Sequence, residues 1–134
     1  MTTPGPDDAV RRLDFLPWEY ARAGTDADRA RQAERHRQLA GTGKTELAAD
    51  VYVAESAAVF CDELRMGQRS YIAAHAYVTG EISLGSDSTI NPFSVVRGRI
   101  TIGDGVRIGA HTSMLAFNHG TAVTDEPMFR MPPR

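Results

Sequence analysis

From residue 66 onward every sixth position is apolar: Met66, Ile72, Val78, Leu84, Ile90, Val96, Ile102, Ile108 and Met114. The fifth place of each hexad is mostly small or β-branched, as in Ser70, Ala76, Ile82, Ser88, Ser94, Ile100, Val106 and Thr112. The second place is glycine at Gly67, Gly85, Gly103 and Gly109. Upstream, Val53 and Val59 keep the same phase until one extra residue intervenes near Arg65. A period of six matches neither an α-helix nor an alternating strand. It predicts a chain that turns a corner every six residues, three corners to a coil, with one large and one small inward residue per side. An eighteen-residue super-period supports this, because Met66-Gly67, Leu84-Gly85 and Ile102-Gly103 stand in register, as do Gly80 and Gly98. Coils are predicted over residues 47–119, preceded by a leader and helical segment over 1–46 and followed by a loop over 120–134.

The first 46 residues have a different texture. Residues 1–9 are a loose leader, and residues 10–23 gather Leu13, Phe15, Leu16, Trp18 and Tyr20 around Pro17. This reads as a helical turn or two interrupted by proline, with apolar surface to dock. Thr25 and Asp28 have the spacing of a capping box that opens a helix over residues 26–40. Its expected inward stripe is Ala27, Ala30, Ala33 and Leu39, and its Arg29, Arg31, Arg35 and Arg37 read as a solvated face. The GTGK segment at 41–44 ends that helix. It only mimics a phosphate loop, since the first glycine of that motif would fall on Gln38.

Composition narrows the class without naming a chemistry. At 134 residues the chain fits one domain, and 24% charged with 42% apolar residues is ordinary for a globular protein. A net charge of -2 gives no electrostatic pull toward nucleic acid or an anionic membrane. Fourteen of the fifteen basic residues are Arg, which reads as coding bias. Cys61 is the single cysteine, no stretch is apolar enough to span a bilayer, and residues 1–12 lack the apolar stretch of a signal peptide. A cytoplasmic protein is expected.

The repeat, with ITIGDGVRIGAHTSM followed by a loop holding Asn118, His119 and Gly120, resembles the hexapeptide-repeat transferases, in particular the maltose and galactoside O-acetyltransferase branch. Glu19-Tyr20 and the Arg/Ala-rich helix are similar to the helical opening of that branch. The resemblance implies a left-handed parallel β-helix with an N-terminal α-helical segment, assembling as a homotrimer. It also implies acyl transfer from acetyl-CoA (acyl-CoA) as co-substrate to a hydroxyl of a saccharide or similar small acceptor, with no metal. In that branch several more coils follow the loop and carry much of the acyl-CoA site. This chain is therefore expected to be the N-terminal part of a longer protein, with a C-terminal companion chain completing the β-helix.

His119 is the expected catalytic residue. It falls in the column of Ser83 and Thr101, the last hexad place before a corner, and so should face outward into an inter-subunit groove. An imidazole can take a proton from a sugar hydroxyl at neutral pH while the oxygen attacks the thioester. The same residue could instead be an exposed loop histidine that only hydrogen-bonds. Asn91 has a counterpart in the resembling enzymes that lines the groove near the substrate, which makes it the substrate-binding candidate; Asn is also a common corner residue that bonds its own backbone. Asn118 reads as bonding the turn that presents His119. His75 and His111 share a hexad place two coils apart, roughly 2 × 4.8 Å, too far to share a metal within one subunit. A γ-class carbonic anhydrase-like zinc protein is thus the weaker alternative, and a non-catalytic trimeric scaffold is the other. Cys61 reads as filler in a coil.

Overall fold

A computed structural model of the chain describes residues 12–116. A helical turn over residues 12–15 leads through Pro17 into α1 (Trp18–Ala23) and α2 (Asp26–Ala40). Among the described residues nine strands follow: β1 (Lys44–Leu47), β2 (Tyr52–Val53), β3 (Ala58–Met66), β4 (Tyr71–Ile72), β5 (Tyr77–Leu84), β6 (Thr89–Ile90), β7 (Val95–Ile102), β8 (Arg107–Ile108) and β9 (Ser113–Ala116). All pairs are parallel, in one sheet ordered β1-β3-β5-β7-β9 and another ordered β2-β4-β6-β8. Successive coils stack eighteen residues apart, as in Tyr77↔Val95 and Leu84↔Ile102. The architecture is the expected left-handed parallel β-helix with an N-terminal helical segment.

The inward column is the predicted one. Val53, Ile72, Val78, Ile90 and Val96 are fully enclosed, and Met66, Leu84, Ile102 and Ile108 nearly so. Each such side chain taken out of water stabilises the stack by about 1.5–3 kcal/mol. The small fifth-place residues earn burial differently: Ser70 donates to Gly67 O and Ser94 to Gly109 O, which satisfies hydroxyls that are fully buried. The extra residue expected near Arg65 is Asp62, where the β3–β5 register shifts between Cys61 and Glu63.

The three corners of the coil solve one backbone problem in three ways. Gly80 and Gly98, at φ +108°, kink the long strands, and a Cβ on Gly80 would lie 2.2 Å from Gly98 O. At a second corner Arg69 and Asp87 adopt φ 58° and 57° and pair with each other. At the third His75, Phe93 and His111 adopt φ 56°, 63° and 60°, and their rings stack from coil to coil. A left-handed conformation costs a non-glycine residue roughly 1–2 kcal/mol.

Helix α2 begins with the predicted capping box, Thr25 Oγ1 accepting from Asp28 N and Asp28 Oδ2 accepting from Thr25 N. Its inward face corrects the sequence reading. Ala27, Ala30 and Ala33 are exposed, and the face turned to the coils holds Gln32, Arg35, His36 and Leu39. Arg35 therefore leaves the solvated arginine face. The cause lies in what the helix covers: the first coil ends in unpaired backbone groups, and hydrogen-bonding side chains satisfy those where alanine cannot. Gln32 Oε1 accepts from Val53 N at 2.8 Å while its Nε2 donates to Val53 O at 3.0 Å. Arg35 donates to Ala54 O and Ala57 O, and His36 Nε2 lies 3.0 Å from Val51 O. Beside this cap, buried Asp14 accepts from Tyr52 Oη, Ser56 Oγ and the amides of Glu55 and Ser56, which ties the first helical turn to the same coil.

Candidate functional site

Ser83 and Thr101, the two residues whose column the repeat extends to His119, face each other in the β5–β7 ladder. They line a shallow groove of about 420 Å³ with Glu63, Arg65, Glu81 and Arg99. Arg99 Nε donates to Glu81 Oε2 at 2.8 Å, and Arg65 Nε lies 3.4 Å from Glu63 and 3.6 Å from Glu46. These solvated pairs add little stability. What they provide is a floor bearing hydroxyls and both signs of charge, on which a polar substrate can be held. β9 ends at Ala116, three residues short of His119. His119 and Asn118 lie outside the described residues.

Asn91 opens the corner after β6 and is occupied by the fold. Its Oδ1 accepts from Tyr71 Oη at 3.1 Å, and its Nδ2 donates to Ile108 O at 2.8 Å and lies 3.2 Å from Thr89 Oγ1. The carboxamide thus ties three successive coils together. The residue as a whole is half-buried.

His75 and His111 are held apart by a ring that the sequence reading passed over. Phe93 stacks on His75 at 5.2 Å between centroids and on His111 at 5.1 Å, with Phe15 tilted against the lower pair at 6.0 and 6.2 Å. The column is aromatic. The signal was present, since Phe93 is eighteen residues from each histidine. Within one subunit the two imidazoles flank a phenyl ring and share no ligand. Among the described residues no three His, Cys, Asp or Glu side chains come together to hold a metal.

Cys61 is buried, with Sγ 3.7 Å from Val78 O, and burial foremost, with the Asp62 charge, pushes its thiol up to about 12. Such a thiol is protonated at neutral pH and unsuited to nucleophilic attack, in keeping with its reading as filler. Gly41 caps α2 and Lys44 starts β1, so the GTGK segment is a helix stop.

The sequence profile of the family described as bacterial transferase hexapeptide (six repeats) matches residues 81–115, the span from β5 into β9. Parallel stacking continues below that span through β4 and β3, and the six-residue period continues with it apart from the one extra residue, Asp62. Over residues 81–115 the chain carries the hexapeptide repeat that this family describes, and that repeat builds the parallel β-helix. Neither the curated proteins nor the solved structures contain a match to this hexapeptide-repeat chain. Among the described residues no helix is long and apolar enough to cross a membrane.

Sequence reasoning missed the residues that dock the N-terminal segment, Asp14, Gln32 and His36. Only the polarity of positions 32, 35 and 36, which lie on one side of an otherwise alanine-rich helix, could have pointed to them.

Proposed function

We propose that this hexapeptide-repeat protein is a cytoplasmic acyltransferase that moves an acetyl or related acyl group from acyl-CoA to a hydroxyl of a saccharide or similar small acceptor. The observation that carries the reading is the unbroken repeat, matched by the transferase family over residues 81–115, that runs to within a few residues of His119. In this reaction His119 takes the proton of the acceptor hydroxyl, the acceptor oxygen forms the new ester bond to the acyl carbon, and the thioester C–S bond breaks to release CoA thiolate, which is then protonated. The Ser83–Thr101 groove supplies polar contacts along the approach, and Asn91, half-buried and tied to the neighbouring coils, contacts substrate at the corner after β6.

The active assembly is a homotrimer in which a neighbour completes each site. Support comes from the outward side of the large sheet, where Phe60 is 64% exposed and Leu115 59%. These rings and branches lie in one ladder column with Thr79 and Arg97. Exposed apolar side chains at the two ends of this column, Phe60 and Leu115, are surface that a second copy would cover. Coils in a companion polypeptide would supply the rest of the CoA site, and denaturing mass spectrometry of the native particle would reveal that polypeptide beside the 14.6 kDa chain.

The test is release of CoA thiol from acetyl-CoA with a panel of sugars by the native particle. His119→Ala should lower the rate about 10²- to 10⁴-fold while leaving the circular dichroism of the coils unchanged. An unchanged rate in the variant would remove His119 from the mechanism, and no thiol release from the complete particle would favour a scaffold.

A further inference from the structure

The carboxamide of Asn91 is oriented without ambiguity. Ile108 O can only accept, and it takes one hydrogen bond from the Asn91 amide N at 3.1 Å and one from the side chain at 2.8 Å, so the side-chain atom beside it is Nδ2. The other Nδ2 hydrogen goes to Thr89 Oγ1 at 3.2 Å. Oδ1 is left facing Tyr71, whose hydroxyl donates to it across 3.1 Å. A carboxamide has two hydrogens to give and two lone pairs to fill. Both hydrogens of Asn91 are committed, and one lone pair of Oδ1 has no partner among the described residues.

Tyr71 is held in turn by what surrounds it. It is 6% exposed, lies between Tyr52 and Thr89 in the ladder of the smaller sheet, and lines a concavity of about 200 Å³ beside Pro17 and Trp18 at the start of α1. Its hydroxyl is a fixed point from which the Asn91 carboxamide is aimed. Without that hydroxyl the side chain would be held from its nitrogen alone. The open position on Asn91 accepts and does not donate. A thioester carbonyl, and the oxyanion that grows from it, can also only accept. A hydroxyl donates. In this orientation Asn91 can receive a hydroxyl and has no hydrogen to offer a thioester.

We infer that Tyr71 is a positioning residue, which fixes Asn91 so that Oδ1 accepts a hydrogen bond from a hydroxyl of the acyl-accepting substrate and the carboxamide takes no part in stabilising the thioester oxyanion. This role rests on the acyl-transfer reading but is separable from it by kinetics.

Thiol release by the native particle is measured with acetyl-CoA and the methyl pyranosides of glucose and galactose, each substrate being varied in turn. Tyr71→Phe removes the hydroxyl and keeps the ring. It should raise KM for the sugar about three- to tenfold, the contribution of one neutral hydrogen bond, and leave KM for acetyl-CoA unmoved. In an Asn91→Ala background the same substitution should have no further effect, because Tyr71 then has nothing to position. A merely structural Tyr71 would instead lower the urea midpoint and the active fraction, with both KM values unchanged. If Asn91→Ala does not fold, the two KM values of Tyr71→Phe decide alone. An unmoved KM for the sugar, a raised KM for acetyl-CoA, or a sugar effect that persists in the Asn91→Ala background overturns the role of Tyr71 while acyl transfer stands. No thiol release by the unaltered particle with either glycoside overturns the acyl-transfer reading and this role with it.

Discussion

Replacing Gln32 by Leu removes the cap of the first coil while nearly preserving volume. Gln32 is 3% exposed and Val53 is enclosed completely, and their two reciprocal hydrogen bonds are of 2.8 and 3.0 Å. The neighbouring amides of Tyr52 and Ala54 bond upward to Ser70 O and Ile72 O, so Val53 N and O point away from the stack, and among the described residues the Gln32 carboxamide is their partner. Leucine orphans one buried donor and one buried acceptor. At about 1–3 kcal/mol for each unsatisfied group the loss is about 2–6 kcal/mol, against a total stability of about 5–15 kcal/mol for a domain. Urea unfolding followed by circular dichroism should show a lower midpoint, and hydrogen exchange should show lost protection at the Val53 amide. A midpoint shift worth less than about 1 kcal/mol, with Val53 still protected, would refute the argument that this helix is held by the backbone groups it satisfies.

Gly80→Ala should be more damaging than an exposed glycine substitution, because the new Cβ would meet Gly98 O at 2.2 Å with φ at +108°. A loss of about 3 kcal/mol or more is expected, and thermal unfolding measures it. Burial first, then the Arg35 charge, lower the pKa of His36 from 6.5, with the bond to Val51 O opposing them. The unfolded chain therefore takes up its proton before the folded one, so this contribution to stability is complete above about pH 6.5 and falls as pH drops below it. Urea midpoints from pH 8 to 5 should show that fall, and His36→Gln should flatten it. Cys61, with its thiol pushed up to about 12, should resist iodoacetamide at pH 8 in the folded protein and react once urea unfolds it.

What the amino-acid sequence determined by itself is the coil. Inward residues of a β-helix touch residues eighteen places away in the same chain, so their requirements recur at fixed spacing and a reader of the string meets them as a period. Met66 through Met114, the paired glycines at 80 and 98, and the Thr25–Asp28 capping box belong to this class. The neighbours of α2 were decided only by tertiary structure. An alanine stripe on a helix predicts an apolar partner, but the end of a β-helix offers backbone N–H and C=O groups, which have no signature in side-chain pattern. Gln32, Arg35 and His36 take their meaning from Val51, Val53, Ala54 and Ala57 across that contact. Phe93 between two histidines was legible in principle, as it shares their eighteen-residue column. The concavity lined by Pro17, Trp18, Thr89 and Arg107 was not, because it exists only where α1 rests beside the corner of a coil.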